Sequence, residues 1–428
     1  MIDLRIYLII VSFWVFSGFG NPTFSQGAAV PPSEAPPAGK PATARDSPVI
    51  GRALHLVEDQ GAEGAGLVID LTQEVSTRIE ALSEPNRLVI DLEGVSFAGA
   101  AALASNKAIG PISGYRAGLF MLGQSRIVLD LARPALVERI DFVRQAGTVR
   151  LVAQIRSVPS ERFEERARAD QARRLAARMP DPGVPAPPKP GGKPLLVIDP
   201  GHGGIDPGAS GPKGEAEKDI VLALAKELRK AIMADGRIEV QLTRDDDRFI
   251  ALSDRVAFAR ARNAALFVSL HADSLFGEGD VRGASVYTLS DRASDAAAER
   301  AAEKENRADL LAGLDVGEDK RGGIDDILFD LARRETRIFS QVVARQAANA
   351  LQKGARLHKT PLRSAGFRVL RAPDMPSILV ELGYLSNTED LSALLSEAAR
   401  EKLAAALGEA LVRFVMSGRD AISAKSPE

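Results

Sequence analysis

The chain is 428 residues long, carries a formal net charge of -2 at pH 7 and contains no cysteine. That length accommodates two domains of ordinary size together with linkers, at roughly 100–200 residues per domain. The absence of cysteine excludes disulfides, thiolate metal sites and thiol nucleophiles. The nearly balanced charge gives no reason to expect nucleic acid as a partner.

The N-terminus predicts a signal peptide over residues 1–25. Arg5 precedes the apolar runs Ile6–Val11 and Phe13–Phe16, which together come close to the roughly 7–15 residues of a signal-peptide core. The small residues Thr23 and Ser25 favour cleavage after Ser25. The stretch falls short of the roughly 20 apolar residues that span a bilayer, although a retained anchor stays open as the alternative. We therefore expect an exported protein with no stable membrane span after cleavage.

Residues 50–158 predict an all-β sandwich, which follows a Pro/Ala-rich and therefore disordered tether at residues 26–49. A six-residue motif recurs as GLVIDL, RLVIDL and RIVLDL, at Gly66–Leu71, Arg87–Leu92 and Arg126–Leu131. Each copy alternates aliphatic residues at period two, which is typical of a half-buried strand. The Asp of each motif lies on the face opposite the aliphatic residues (Asp70, Asp91 and Asp130). Arg87 and Arg126 are expected to pair with these acids, in a stabilising rather than a ligand-binding role.

Residues 159–193 combine a charged helix, Ser160–Met179, with the Pro-rich run Pro180–Lys193, which predicts an extended spacer. From Pro194 to about Gly418, short apolar runs alternate with amphipathic helical patterns. That alternation predicts an α/β domain with a central, mostly parallel sheet flanked by helices. Residues 419–428 are expected to form a disordered tail.

Three apolar runs of this second domain lead into residues that bind metals or transfer protons. Leu195–Asp199 leads through a Gly-rich turn into His202, Ala265–Leu270 ends on His271, and Ile378–Val380 ends on Glu381. The carboxyl ends of the strands in an α/β sheet are where ligands and catalytic groups gather. The sequence therefore predicts that two histidines and a glutamate meet at one edge of the sheet, as in a metal hydrolase.

Glu217 is the second candidate carboxylate, just before the helical pattern that begins near Asp219. An acid at a helix start usually does no more than interact with the helix dipole. Together with His202 and His271, however, it completes two histidines and one carboxylate with an open fourth position, which is a catalytic zinc arrangement. Glu381 would be the general base and acid, since a carboxylate ending a buried strand is costly unless it is paired or catalytic. The remaining histidines, His55 and His358, are interpreted as structural or surface residues.

Several ordered motifs resemble the zinc-dependent N-acetylmuramoyl-L-alanine amidases of bacterial cell division. They are DPGHGGIDPGASG, the Glu217-Lys218-Asp219 triplet, LTRDDDRFIALSDR, SLHAD and RAPDMPSILVELGYLSN, and they cover residues 194 to about 418. The resemblance implies that His202, Glu217 and His271 bind Zn²⁺ and that Glu381 is catalytic. It also implies cleavage of the amide between the lactyl group of N-acetylmuramic acid and the L-alanine of the stem peptide. Residues 50–158 resemble, more diffusely, the AMIN module that precedes such enzymes, which implies binding to peptidoglycan in the periplasm at the division septum.

A charged insertion at about residues 290–351 carries the predicted regulation. Asp295–Leu311 and Ile327–Leu351 predict helices on either side of the flexible, polar run Asp315–Asp325. By resemblance to activator-dependent division amidases, a glutamate of the first helix fills the open zinc position. Glu305, or failing it Glu303, is expected in that role, and a LytM-type activator protein is the expected partner. A solvated surface helix is the alternative interpretation of this segment.

Two other functions stay open at the level of the sequence. A zinc peptidase that cuts within the stem peptide would use the same metal chemistry. A wall-binding scaffold would keep zinc as a structural ion, although Glu381 and the open ligand position argue against it.

Overall fold

The computed structural model describes residues 49–58, 64–97, 103–121, 123–145, 147–177, 192–274, 281–314 and 327–423. The predicted signal peptide, almost all of the tether, most of the Pro-rich spacer and the polar run within the insertion lie outside these residues. None of the helices in the described ranges has the length and apolar character needed to cross a membrane.

The N-terminal part folds into two packed β-sheets, as the sequence predicted. Its strands are β1 (Val49–Glu58), β2 (Gly64–Leu71), β3 (Thr77–Leu82), β4 (Arg87–Glu93), β5 (Val95–Phe97), β6 (Leu103–Ser105), β7 (Ile112–Met121), β8 (Gln124–Leu131), β9 (Ala135–Gln145) and β10 (Thr148–Ser157). The sheet orders are β5-β1-β2-β10-β9 and β3-β4-β8-β7-β6. All strand pairs are antiparallel except β1 with β5. Alternate aliphatic residues from both sheets, together with Phe163 of helix α1 (Ser160–Ala177), form the shared core.

The prediction of half-buried strands is wrong for β4, and the register of β4 with β8 explains why. Leu88 and Ile90 face the sandwich core, yet Arg87, Val89 and Asp91 on the opposite face are also no more than 4% exposed. Each Arg of one strand lies opposite an Asp of the other, Arg87 with Asp130 and Asp91 with Arg126. The outer face is covered because residues from the C-terminal part of the chain pack on it.

The C-terminal part is the predicted α/β domain. Its elements are β11 (Leu195–Pro200), α2 (Glu217–Asp235), β12 (Glu239–Leu242), α3 (Leu252–Arg260), β13 (Leu266–His271), β14 (Ala284–Leu289), α4 (Ala296–Glu305), α5 (Ala308–Leu311), α6 (Ile327–Leu351), β15 (Leu357–Ala365), a 3₁₀ turn (Arg368–Leu370), β16 (Ser377–Glu381), α7 (Thr388–Leu395) and α8 (Glu397–Ser423). The sheet order is β12-β11-β13-β16-β14-β15. Every pair is parallel except β14 with β16. The predicted fold class is therefore confirmed.

The central strands are mostly apolar because both faces of the sheet are covered. All residues of β11 and of β13 are buried. Leu196 and Ile198 pack in the cluster formed with α2, α6 and α8, whereas Leu195 and Val197 pack in the cluster that includes α3 and α4. Neither face is left to water, and the polar residues of these strands (Asp199, Ser269 and His271) lie near the carboxyl ends, where they are also buried.

The structure differs from the predicted helices at two places. The helix expected over 295–311 ends at Glu305. The side-chain amide of its C-cap residue, Asn306, donates to Gly366 O (3.0 Å) and accepts from Arg368 N (2.8 Å). The last helix continues to Ser423, beyond the expected start of a disordered tail. A single helical glycine costs only about 1 kcal/mol relative to alanine, so Gly418 does not end α8. The domain boundaries assigned from the sequence stay predictions.

Candidate metal centre

The carboxyl ends of three adjacent parallel strands bring the predicted residues together. β11, β13 and β16 are neighbours, and His271 lies directly across from Glu381. The turn after β11 places the His202 ring edge-on to the His271 ring, with 4.9 Å between their centroids. His202, His271 and Glu381 are all at most 6% exposed.

Two buried carboxylates reach the same pair of imidazole nitrogens. Glu217 Oε1 lies 3.2 Å from His202 Nε2 and 3.1 Å from His271 Nδ1. Glu305 Oε2 lies 3.2 Å from each of those nitrogens. Potential ligand atoms of His202, His271 and Glu305 all fall within 4.8 Å of one another. The nitrogens and carboxylate oxygens therefore converge on one small region.

This donor set fits a zinc ion. His202 Nε2 is buried and lies 3.2 Å from carboxylate oxygens of Glu217 and Glu305, but it is not aligned for a hydrogen bond with either. A buried polar atom that makes no hydrogen bond is uncommon. Two imidazoles with carboxylate oxygens, and no sulfur, suit Zn²⁺ in four-coordinate geometry. His202, His271 and Glu217 can hold the ion, with Glu305 as a further oxygen donor.

Asp206 sets the orientation of the His202 ring. Its Oδ2 lies 2.8 Å from His202 Nδ1, so Nε2 is the nitrogen directed at the carboxylates. A carboxylate behind a metal-binding histidine fixes the ring and its tautomer. Burial alone would lower the pKa of His202, but Asp206, Glu217 and Glu305 raise this pKa well above its usual value. The same negative charge favours a bound cation.

A buried polar frame holds the backbone of the turn that carries His202. His202 has a φ of 57°, in the left-handed region that costs a non-glycine residue energy. Arg255 Nη2 donates to His202 O at 2.7 Å, and Arg244 Nη2 donates to Gly201 O at 2.7 Å. Asp199 anchors this frame by accepting from Arg255 Nη1 (2.9 Å), Thr243 Oγ1 (2.6 Å) and Ser269 Oγ (2.8 Å).

Glycine is required in the turn because side chains of the centre pass close to it. A Cβ on Gly201 would lie 2.4–2.8 Å from the His271 ring. A Cβ on Gly208, whose φ is +69°, would lie 2.6 Å from the His202 ring and 2.7 Å from Glu217 Oε2. The glycines are thus needed for two reasons: they allow the chain to turn, and they let the candidate ligand side chains pass close to the backbone.

Glu381 ends β16 beside the histidines. Its Oε2 accepts from the backbone N–H of Asp273 at 3.2 Å. Burial, and then the nearby charges of Asp273, Glu217 and Glu305, raise the pKa of Glu381 well above its usual value. A carboxyl group with a raised pKa is suited to exchanging a proton with a reacting group.

The two glutamates proposed from the sequence as regulators differ in position. Glu305, the last residue of α4, is buried among the ligands, whereas Glu303 is exposed. The adjacent Lys304 forms an ion pair with Asp273. His55 is exposed and His358 contacts Thr360, so neither belongs to the cluster of candidate ligands.

Sequence reasoning did not single out Asp206 or the buried frame of Asp199, Arg244 and Arg255. Asp206 stands four residues after His202 within the same Gly-rich motif, and this spacing could have indicated it. Arg244 and Arg255 are part of a motif that was recognised only through the family resemblance, because a single arginine in a loop (Arg244) or on a short helix (Arg255 of α3) carries no positional signal.

Comparisons with known proteins give a consistent assignment. Residues 196–413 match the family model described as N-acetylmuramoyl-L-alanine amidase, and residues 57–145 match the model of the AMIN domain. The chain is 41% identical over 227 residues to N-acetylmuramoyl-L-alanine amidase AmiA of Escherichia coli K12, covering 53% of this chain and 78% of that protein. It is 32% identical over 364 residues to AmiC of Escherichia coli O6:H1, covering 82% and 87% respectively. The solved structure of AmiC2 of Nostoc punctiforme is 31% identical, with a TM-score of 0.39, and the match covers 53% of this chain and 98% of that one.

Proposed function

Because this chain belongs to the N-acetylmuramoyl-L-alanine amidase family, with an AMIN domain ahead of its catalytic domain, we propose that it is a zinc-dependent murein amidase of cell separation that α4 holds inactive. The substrate bond is the amide between the lactyl group of N-acetylmuramic acid and the L-alanine of the stem peptide. The observation that carries this proposal is the convergence of His202, His271 and Glu217 on one region that Glu305 also enters.

The contacts of the residues support the roles proposed for them. His202, His271 and Glu217 would hold the zinc ion, which when bound supplies a Lewis acid and lowers the pKa of a coordinated water to about 7. Asp206 keeps Nε2 of His202 directed at the site. Glu381 takes the proton of the attacking water and delivers it to the departing amine of L-alanine, as its raised pKa suits.

Autoinhibition is supported by the position of α4. Ala298 and Ala302 pack into the core beneath the sheet, and Glu305 at the helix end lies 3.2 Å from both histidine nitrogens. A carboxylate there occupies the region where the substrate carbonyl and water must bind. Activation then requires that α4 leave the centre, which a partner achieves by binding the displaced form more tightly. A LytM-type activator in the cell envelope is the expected partner.

The same family membership supports a proposal for the cellular setting. We place the mature protein in the periplasm at the division septum, where the AMIN domain binds peptidoglycan and the catalytic domain splits septal murein. The predicted signal peptide agrees with export.

The test uses zinc-loaded protein from residue 26 onward and purified sacculi, with products identified by mass spectrometry. Glu305→Ala should release intact stem peptides that begin with L-alanine, at a rate well above that of the wild type. Glu303→Ala, a matched change at an exposed position of the same helix, should leave the low basal rate unchanged. Combining Glu381→Gln with Glu305→Ala should abolish release at unchanged zinc content. Cleavage inside the stem would contradict the assigned bond, and equal rates for Glu303→Ala and Glu305→Ala would contradict autoinhibition.

A further inference from the structure

The outer face of the AMIN sheet binds the segment that directly follows α4. Arg87 Nη1 donates to Leu310 O, Arg116 Nε donates to Leu311 O, and Arg126 Nη1 donates to Ala312 O at 3.1 Å. Three guanidinium groups thus contact the carbonyls of three consecutive residues at the end of α5. Carbonyls at a helix C-terminus lack partners within the helix, and cationic donors stabilise them.

The sequence repeat of the AMIN domain supplies two of these arginines, Arg87 and Arg126, and β7 supplies Arg116. Arg126 makes a two-pronged ion pair with Asp91 (2.6 and 2.8 Å), and both side chains are almost fully buried. Arg116 pairs with Asp130, and the Arg126 guanidinium lies 3.5 Å from the centroid of the Phe120 ring. Buried charges require such partners. The acids therefore hold the guanidinium groups of Arg116 and Arg126 in place, and the remaining N–H groups of these arginines point at the segment.

Apolar contacts fit the same segment to the same face. Ala312 is fully buried in a cluster with residues of both domains: Leu82, Val89, Val128, Ile205 and Phe249. Gly313 has a φ of +71°, and a Cβ there would lie 2.8 Å from Val89 Cγ2 and 2.9 Å from Val128 Cγ2. The segment lies so close to β4 and β8 that no side chain fits at this position.

The segment is also tied to the catalytic domain. Asp309 Oδ1 accepts from the backbone N–H of Leu252 at the start of α3, at 2.9 Å. Only Asn306 and Arg307 separate α4 from α5, so little chain is available to absorb movement. Displacing Glu305 from the metal centre therefore pulls on the residues held by the AMIN face.

We propose that the outer face of β4, β7 and β8 is an intramolecular latch for residues 310–314, which holds α4 and hence Glu305 in the metal centre. This inference rests on the proposed autoinhibition by α4, and it assigns the AMIN domain a second role besides wall binding. The latch segment and any other ligand of this face exclude each other, so occupation of the face by a ligand releases α4.

The test measures whether α4 is docked, and its main readout does not depend on catalysis. The chain has no cysteine, so Ala302→Cys places a single thiol at a position of α4 that is 4% exposed. Its rate of labelling by a thiol reagent reports undocking of the helix. In this background, Arg116→Ala and Gly313→Ala each disturb one side of the latch. Each variant should raise the labelling rate about tenfold, which is the effect expected from losing one charge-assisted hydrogen bond or a comparable contact. Basal hydrolysis of soluble muropeptides should rise in parallel.

Matched controls separate the latch from general destabilisation. Arg150→Ala removes another partly exposed Arg–Asp pair, with Asp70, on the other sheet of the same sandwich. Gly147→Ala imposes the same positive-φ strain (φ +84°) at a turn with nothing within 4 Å of the added Cβ. Both controls should leave labelling and basal activity unchanged.

The outcomes distinguish this inference from the proposed function. If Glu305→Ala activates the enzyme but the two latch variants label at the wild-type rate, the latch is wrong and autoinhibition stands. If the latch variants label faster while Glu305→Ala fails to activate, the AMIN face holds α4 but α4 does not inhibit. Equal acceleration in the latch variants and in their controls would also overturn the latch.

Discussion

Replacing Asp206 with asparagine tests whether the carboxylate behind His202 contributes to metal binding. Asp206 Oδ2 lies 2.8 Å from Nδ1 of the buried imidazole, and Oδ1 accepts from Gly208 N at 3.1 Å. Asparagine keeps the size of the side chain and one acceptor oxygen but removes the charge. Loss of such a partner of a metal-binding histidine typically lowers metal affinity about 10–100-fold, or roughly 1.4–2.7 kcal/mol at about 1.4 kcal/mol per decade.

A second effect of the substitution acts in the opposite direction. Asp206 is the strongest of the charges that raise the pKa of His202 against the effect of burial, so its removal makes proton competition for Nε2 weaker. Zinc affinity should therefore be measured under alkaline conditions, where the imidazole is neutral in both proteins, by competition with a chromophoric chelator. Asp219→Asn, an equal charge change at an exposed position of α2, is the control. Zinc affinity equal in Asp206→Asn, Asp219→Asn and the wild type would refute the reasoning.

Three further predictions follow from the structure. Gly201→Ala should lower the activity of the Glu305→Ala enzyme because the new Cβ would lie 2.4 Å from the His271 ring. The expected loss is about 100-fold, the effect of misplacing a catalytic group by about 1 Å. Gly366→Ala, whose new Cβ would have its nearest contact 3.8 Å away, should have no such effect in the same assay. Arg255→Met should lower the free energy of unfolding in urea by about 3–5 kcal/mol, because Asp199 is left as a buried charge without its cationic partner. Adding Asp199→Asn should recover part of this loss, and no recovery would argue against this cause. Burial raises the pKa of Asp295, but its bonds to Arg363 and Ala298 N prevail and lower this pKa to about 2. The capping carboxylate therefore stabilises α4 above the usual Asp pKa of about 4, and this stabilisation is lost as the pH falls from about 4 to about 2. Ala302→Cys labelled by an acid-compatible thiol reagent should show faster undocking across that window, and Asp295→Asn should weaken this pH dependence.

Much of the catalytic domain could be predicted because strand endings are local signals. An apolar run of β-branched residues that stops at His271 or Glu381 indicates a buried strand whose last side chain meets the edge of the sheet. Which of Glu305 and Glu303 enters the metal centre could not be derived in the same way. Both lie on one charged helix, and only the packing of Ala298 and Ala302 against the core decides which of them faces the metal centre.

The sequence by itself determined the two fold classes, the three strand ends that carry His202, His271 and Glu381, and the regular spacing of Arg and Asp in the AMIN repeats. Periodicity reports which face of a strand or helix is apolar, and that information is local. Only the tertiary structure decided what covers the polar face: the repeat predicted a solvated row of ion pairs, and the fold buries Arg126 against Ala312, which is 186 residues away in the chain. Contacts across such a separation depend on how two domains pack, which no spacing within either domain encodes.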